Sequence, residues 1–190
     1  VPARTVKELI ALAKAKPGQL NYSSTGVGSP VHLRAELFNS MAGVKIINVP
    51  YKSSVPALTA LISGEVQVAI FDSGLVGPHV KLGKLRALVV TSGEPSALAP
   101  GLPTVAATGL PGYESVSMTG IWAPGETPKA IINRLNQEIA RMLNLPDVKE
   151  RFLSAGEEVI ASSPEQFAAT IKSEIISTGK VIKDAGIKVD

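Results

Sequence analysis

The first half of this chain alternates between amphipathic helical segments and short apolar segments, and that alternation limits the folds it can adopt. Thr5, with Glu8 three residues later, predicts a helix start, and Pro17-Gly18 predicts its end. Four segments between the helical ones are predicted to be strands: a short one at residues 20–23 and three largely apolar ones at 46–49, 66–71 and 85–91. Apolar strands that alternate with helices are typical of a mainly parallel sheet covered on both faces. The predicted fold class is therefore α/β.

The pattern changes after a loop rich in proline and glycine at residues 95–113. Beyond it, extended segments are predicted at 115–122 and 159–160, and helices near 128–142, 148–153 and 164–182. Residues 1–120 and 121–190 are therefore predicted to form two different structural units.

Charge divides at the same place. Residues 1–120 hold ten Lys and Arg against six Asp and Glu, a net charge of +4, whereas residues 121–190 hold nine against ten, a net charge of −1. A basic first unit favours an anionic ligand, although ordinary scatter of surface charge explains the excess equally well.

Composition excludes several classes of function. The chain has no cysteine, so it has no disulfide, thiolate nucleophile or cysteine metal site. Aromatic residues make up 4% and the formal net charge is +3, which does not suit a nucleic-acid platform. The two histidines, His32 and His79, belong to no metal motif, and no Gly-x-Ser-x-Gly elbow occurs. We therefore expect no enzyme, cofactor or metal.

A glycine-bearing turn between the first strand and the next helix is the most informative motif. Glycines let the backbone approach a ligand, and the free amides of a helix start attract negative charge, so the turn is predicted to bind an anion. Neither the dinucleotide fingerprint nor the P-loop fits it, because Val31 occupies the third glycine position and no lysine follows Gly28. The alternative is a plain strand-to-helix turn that needs glycine and a serine cap. The predicted ligand-binding residues in the turn are Ser24, Thr25, Gly26, Val27, Gly28 and Ser29.

Three further side chains are predicted to lie at the same edge of the sheet. His32 falls in the first turn of its helix, where a neutral imidazole is expected to donate a hydrogen bond; a structural histidine is the alternative. Asp72 follows an apolar strand and is predicted to accept from a ligand amine or hydroxyl, or else to cap the next helix. Lys52 is the weakest candidate, since lone loop lysines are usually solvated. Trp122 is expected to pack the junction of the two units or to close the site.

Ordered motifs along the whole chain resemble one family, the Bug/TctC extracytoplasmic substrate-binding proteins of tripartite tricarboxylate transporters. The resemblance is carried by the segment from Leu20 to Ser29, His32-Leu33, Glu36-Leu37-Phe38, Val49 to Ser53, Pro56-Ala57-Leu58, Gly64 to Val68, Phe71-Asp72, Gly83 to Leu88, Leu102 to Val105 and Gly109 to Tyr113.

This resemblance implies a type II periplasmic-binding-protein-like architecture, in which two α/β lobes close over a small carboxylate such as a dicarboxylate, a tricarboxylate or an acidic amino acid. Residues 1–120 are then expected to be the second lobe, complete, and residues 121–190 the C-terminal helical part of the first lobe, whose N-terminal part is absent from this chain. The implied partners are the carboxylate and the membrane subunits of the transporter. The implied location is the periplasm, reached by a signal peptide that is not in this chain.

Two alternatives belong to other classes of function. The effector domain of a transcription regulator uses the same bilobal fold, and a carboxylate-processing enzyme ranks last. An incomplete first lobe also predicts exposed apolar surface on the 128–142 and 164–182 helices, covered by self-association.

Overall fold

The computed structural model describes residues 1–187 and contains, in that range, eight helices and one two-stranded parallel sheet. The elements are, in chain order, α1 (Val6–Ala15), β1 (Asn21–Ser24), α2 (Pro30–Ala42), β2 (Ile47–Pro50), α3 (Ser54–Ser63), α4 (Ser73–Lys81), α5 (Val105–Thr108), α6 (Lys129–Leu143), α7 (Pro146–Ala155) and α8 (Pro164–Asp184). The short helix α5 lies within the loop predicted to be irregular.

Side-chain caps explain where the first and last helices begin. The Thr5 hydroxyl accepts a hydrogen bond from the Glu8 amide at 3.2 Å, as predicted, but the Glu8 carboxylate accepts from the Arg4 amide at 2.6 Å instead of from Thr5. A complete capping box starts α8, where Ser163 and Gln166 each accept from the other's backbone amide.

The sheet is centred on β1. It pairs in parallel with β2, with Ser24 opposite Pro50, and Tyr22 forms a parallel bridge with Val68 on its other side. The Ser23 amide donates to the Val68 carbonyl at 3.2 Å. The mixed α/β fold with a parallel sheet is confirmed, and β1 and β2 lie within one residue of the predicted strands at 20–23 and 46–49.

The other predicted strands were wrong in extent. Segments 66–71 and 85–91 each contribute one isolated bridge, at Val68 and at Val90, which pairs with Thr104. Segments 115–122 and 159–160 contain no strand. A strand exists only where a neighbouring strand satisfies its backbone groups. Apolar β-branched sequence therefore produced extended chain at these positions, without the full ladder.

The apolar core lies in the first part of the chain. It is built from one face of α1, the β1 residue Tyr22, the α2 residue Phe38 and the buried ring of Tyr113. Phe38 and Tyr113 meet edge to face, with ring centroids 6.2 Å apart. This packing holds β1 and α2, and the turn between them, in a fixed relation.

The C-terminal helices pack on this core at a few points. Helix α8 contacts α2, and Val181 near the end of α8 is buried. Gly74 at the start of α4 lies against the end of α7 so closely that a Cβ there would stand 2.7 Å from the Ala155 carbonyl oxygen. Trp122 packs against Phe167, with centroids 5.3 Å apart, although 70% of Trp122 is exposed.

The predicted exposure of apolar side chains on the helices now numbered α6 and α8 is confirmed. Ile131 and Leu135 on α6, and Ile175 and Ile176 on α8, are each about half exposed or more. Among residues 1–187, no helix combines the length and apolar character that crossing a bilayer requires.

Candidate functional site

The strand register brings three predicted site segments to one edge of the sheet. Ser24 and Pro50 form the last pair of the parallel β1–β2 ladder, so the segments that carry Gly26 and Lys52 leave the sheet at the same edge. Tyr22 forms a parallel bridge with Val68, so the segment that continues to Asp72 runs toward that edge as well. Carboxyl ends of parallel strands are the usual ligand-binding edge of an open α/β sheet.

Hydrogen bonds within the turn hold its shape. The Gly26 amide lies 3.4 Å from the Ser24 hydroxyl, the Ser29 amide donates to the Gly26 carbonyl at 3.3 Å, and the Gly28 amide donates to His32 Nδ1 at 3.0 Å. The Ser29 hydroxyl caps α2 by accepting from the His32 amide at 3.3 Å. Gly28 has a φ of +77°, a conformation that side chains disfavour.

Two amides of the turn remain free. Within residues 1–187 the backbone N–H groups of Thr25 and Val27 have no hydrogen-bond acceptor. Val27 is 54% exposed, and Thr25 is half-buried. The backbone N–H groups of residues 25 and 27 are therefore available to a ligand at the positive, N-terminal end of α2. The N–H groups of residues 26, 28 and 29 instead form the hydrogen bonds that hold the loop.

His32 is a buried part of this turn. Its Nδ1 accepts from the Gly28 amide, so the neutral ring carries its proton on Nε2. Burial lowers the pKa of His32, against an opposing effect of the Glu36 carboxylate. The ring stacks on Tyr22 at 6.3 Å, and the Tyr22 hydroxyl donates to Glu36 at 2.6 Å. His32 is thus structural through Nδ1, and donation from its Nε2 to a ligand stays a prediction.

Asp72 makes a different contact from the expected helix cap. It occupies the N-cap position of α4, but its side chain makes no capping hydrogen bond. Asp72 Oδ1 instead accepts from Arg34 Nη1 at 3.0 Å and from the Ser117 hydroxyl at 2.9 Å, and Arg34 Nη2 also contacts Ser117. The Arg34 side chain is 6% exposed and that of Asp72 63% exposed. We call this group the Arg34 cluster: Arg34, Asp72 and Ser117.

Arg34 and Ser117 were not among the residues predicted from the sequence to form the site. Arg34 lies on the apolar side of α2, between Val31 and Phe38, and an arginine there must find a buried partner. That position was a detectable signal. Ser117 carried no signal, because it is an exposed serine in a segment whose course depends on tertiary packing.

The remaining predicted residues lie apart from these contacts. Lys52 is exposed and forms no ion pair within the described part of the chain. A cleft of about 2370 Å³ separates the first part of the chain from α6, α7 and α8, and the Arg34 cluster lines it. His32 and turn residues 24–29 are outside its lining. Residues 1–187 contain no group of three His, Asp or Glu side chains able to hold a metal ion.

A protein family and several curated proteins are similar to this chain over nearly its whole length. The family described as "Tripartite tricarboxylate transporter family receptor" (TctC) matches residues 1–187. A protein from the tcbD-tcbE intergenic region of Pseudomonas sp. strain P51 is 35% identical over 94% of this chain and 54% of its own length. Protein BugT of Bordetella pertussis is 34% identical over 95% of this chain and 56% of its own length.

Two solved structures are similar to this chain in both fold and sequence. R. palustris Rpa4515 with adipate has a TM-score of 0.85 at 36% identity, covering 98% of this chain and 62% of that one. MatC from Rhodopseudomonas palustris with bound malate has a TM-score of 0.76 at 29% identity, covering 95% and 63%. The chain spans about half the length of the two curated relatives, the Pseudomonas protein and BugT. It belongs to the TctC family of tripartite tricarboxylate transporter receptors, a family of solute-binding proteins and not of enzymes.

Proposed function

We propose that this chain is part of a periplasmic solute-binding protein that captures a small organic carboxylate and delivers it to the membrane subunits of a tripartite tricarboxylate transporter. The ligand class is a dicarboxylate, a tricarboxylate or an acidic amino acid. The family match and the adipate and malate named for two structural relatives support this class. A match to a receptor family also favours this function over the sensing domain of a transcription regulator.

The pair of free amides at Thr25 and Val27 is the observation on which the proposal depends. Backbone N–H groups at a helix start suit a carboxylate because they donate without carrying a charge that needs a counterion. In this proposal the two N–H groups, two residues apart in the chain, donate to one carboxylate. Ser24 Oγ and the neutral His32 ring border the same turn, and the net charge of +4 in residues 1–120 adds a longer-range attraction.

The division into lobes is part of the same proposal. Residues 1–120 form the second lobe, since the buried residues of the apolar core all fall between Ala3 and Tyr113. Residues 121–190 form the C-terminal part of the first lobe; of these, 188–190 lie outside the described residues. The exposed apolar faces of α6 and α8 support this, because such faces normally pack against a sheet.

Calorimetric titration of the chain with a panel of di- and tricarboxylates tests the site. We expect at least one ligand to bind, and Gly28→Val to abolish its binding, because a β-branched residue at a φ of +77° displaces the Val27 amide. Gly43→Val is the matched control: Gly43 ends the same helix at a φ of +60° with open space around it, so it carries the same backbone strain away from the turn.

Loss of binding in Gly28→Val but not in Gly43→Val supports the proposal. Equal binding by both variants contradicts the site assignment. Failure of every carboxylate to bind the parent chain contradicts the proposed function.

A further inference from the structure

We propose that Asp72 determines which carboxylates this receptor prefers, by accepting a hydrogen bond from a hydroxyl or ammonium group on the ligand. The inference rests on the proposed function and goes further, because it selects hydroxy and amino acids over their unsubstituted counterparts. The structural relatives leave this point open, since malate carries a hydroxyl and adipate does not.

The two oxygens of Asp72 have different surroundings. Oδ1 accepts from Arg34 at 3.0 Å and from Ser117 at 2.9 Å, whereas Oδ2 has no hydrogen-bond partner in residues 1–187. Two donors on one oxygen fix the plane of the carboxylate. Because 63% of the side chain is exposed, the second oxygen is presented to solvent in a defined direction.

The position of Asp72 suits a ligand held at the turn. The bridge between Tyr22 and Val68 places the segment that leads to Asp72 beside β1, the strand that leads into the turn, and adjacent strands are roughly 5 Å apart. The proposal requires that a carboxylate bound by the Thr25 and Val27 amides project the substituent on its adjacent carbon toward Asp72 along this edge. The carboxylate of Asp72 also lines the large cleft, so a ligand can approach it.

Charge explains why an aspartate is tolerated beside an anionic ligand. The buried guanidinium of Arg34 neutralises Asp72, so the ligand meets an ion pair and not a bare negative charge. A carboxylate oxygen can only accept hydrogen bonds. A ligand with a donor at this position satisfies Oδ2, while one without a donor leaves that oxygen unpaired once water is displaced.

Calorimetry with malate and succinate, which differ by one hydroxyl, measures the effect in the parent chain. We expect malate to bind at least about tenfold more tightly, the size expected for one hydrogen bond to a charged group. Asp72→Asn should reduce the preference, because Arg34 and Ser117 still require an acceptor at the Oδ1 position. The amide nitrogen then faces the ligand, and the malate hydroxyl exchanges a hydrogen bond to a charged acceptor for a weaker one from a neutral donor.

Two further variants isolate the cause. Ser117→Ala keeps the carboxylate but removes one positioning donor, so a smaller loss of preference is expected. Asp147→Asn is the control, since Asp147 is an exposed aspartate in the first turn of α7, and its malate to succinate ratio should equal that of the parent. Thermal melting verifies that each variant is folded. If Asp72→Asn does not fold, the inference is tested by the malate to succinate ratio of the parent chain and by that of Ser117→Ala.

Equal binding of malate and succinate by the parent chain overturns the inference, as does an unchanged ratio in folded Asp72→Asn. Both results leave the proposed function intact, because a carboxylate still binds. A parent chain that binds neither ligand, nor any other carboxylate, overturns both proposals.

Discussion

The two parts of this molecule differ in how they bury apolar side chains. From Ala3 to Tyr113 a continuous core joins α1, β1, α2 and the loop after α5. From residue 114 to residue 187, Val181 is the one hydrophobic side chain that is fully buried. The same chain thus contains a part that has its own packing partners and a part whose amphipathic helices present apolar faces to solvent. The comparison shows that helical sequence alone does not provide a core.

The difference has an energetic consequence. An amphipathic helix gains most of its stability from burial of its apolar face, and isolated helices are marginal in water. Stability should therefore depend strongly on side chains in the first part and weakly on those in the second.

The largest expected effect is a core truncation. Phe38→Ala removes a ring that is 6% exposed and packs edge to face on Tyr113, so unfolding should become easier by about 3–5 kcal/mol. Ile175→Ala, at 68% exposure, should change the free energy of unfolding by less than about 0.5 kcal/mol. Urea denaturation followed by circular dichroism measures both, and equal losses would break the comparison.

A smaller effect is expected at Asn39, a buried amide that ties α2 to the start of β2. Its Nδ2 donates to the Ile46 carbonyl at 2.9 Å and its Oδ1 accepts from the Ile46 amide at 3.2 Å. Asn39→Ala leaves both backbone groups unpaired and should cost about 1–3 kcal/mol. Asn144→Ala is the control in the second part, where the amide contacts only its own helix at Ala140, and denaturation should show a far smaller change.

The pH dependence of stability should be traceable to His32. Because burial lowers its pKa below the ordinary 6.5, the unfolded chain binds the proton more readily. Its contribution is therefore fully present above pH 6.5 and is lost as the pH falls through and below that value. His32→Asn, which keeps an acceptor for the Gly28 amide, should flatten the melting temperature over this range relative to the parent. An identical slope in both proteins contradicts the assignment of a buried neutral imidazole.

Much of the first part could be predicted from its sequence, because its signals are local. The Thr5 cap, the helix end at Pro17-Gly18 and the strand signals at β1 and β2 each act within a few residues. The shortened strands could not be predicted, since a ladder depends on a neighbour elsewhere in the chain. Segment 115–122 has strand-like sequence, yet within the described residues its one backbone hydrogen bond to another segment is from the Ser115 amide to the Thr91 carbonyl, at 2.9 Å, and Ile121 is 74% exposed.

The candidate site, like the fold of the first part, could be predicted from the sequence only where its signals are local. Alternation and turn composition indicated residues 24–29 and placed Asp72 at the same edge. They did not indicate which amides are free, nor that Arg34 and Ser117 hold Asp72, because those contacts join residues 38 and 45 positions apart.

The smallest change in the free energy of unfolding is expected on the exposed face of α8, where substitutions should instead change self-association. The exposed faces of α6 and α8 predict self-association of the chain. Replacing Ile175 and Ile176 together with glutamate should lower the mass measured by light scattering and change stability by less than about 1 kcal/mol. Ser177→Glu adds a charge on the same helix without removing apolar surface and should leave the mass unchanged. A monomeric parent chain contradicts the prediction.

The most direct test of the binding edge is a ¹⁵N–¹H correlation spectrum of the chain, titrated with a dicarboxylate that binds it. Our account predicts that the amide signals of Thr25 and Val27 move most and move downfield, as free donors do when they bind an anion. Gly28, whose amide already donates to His32, should move less. Unchanged Thr25 and Val27 signals, with the largest shifts on α6 or α8, would contradict the account.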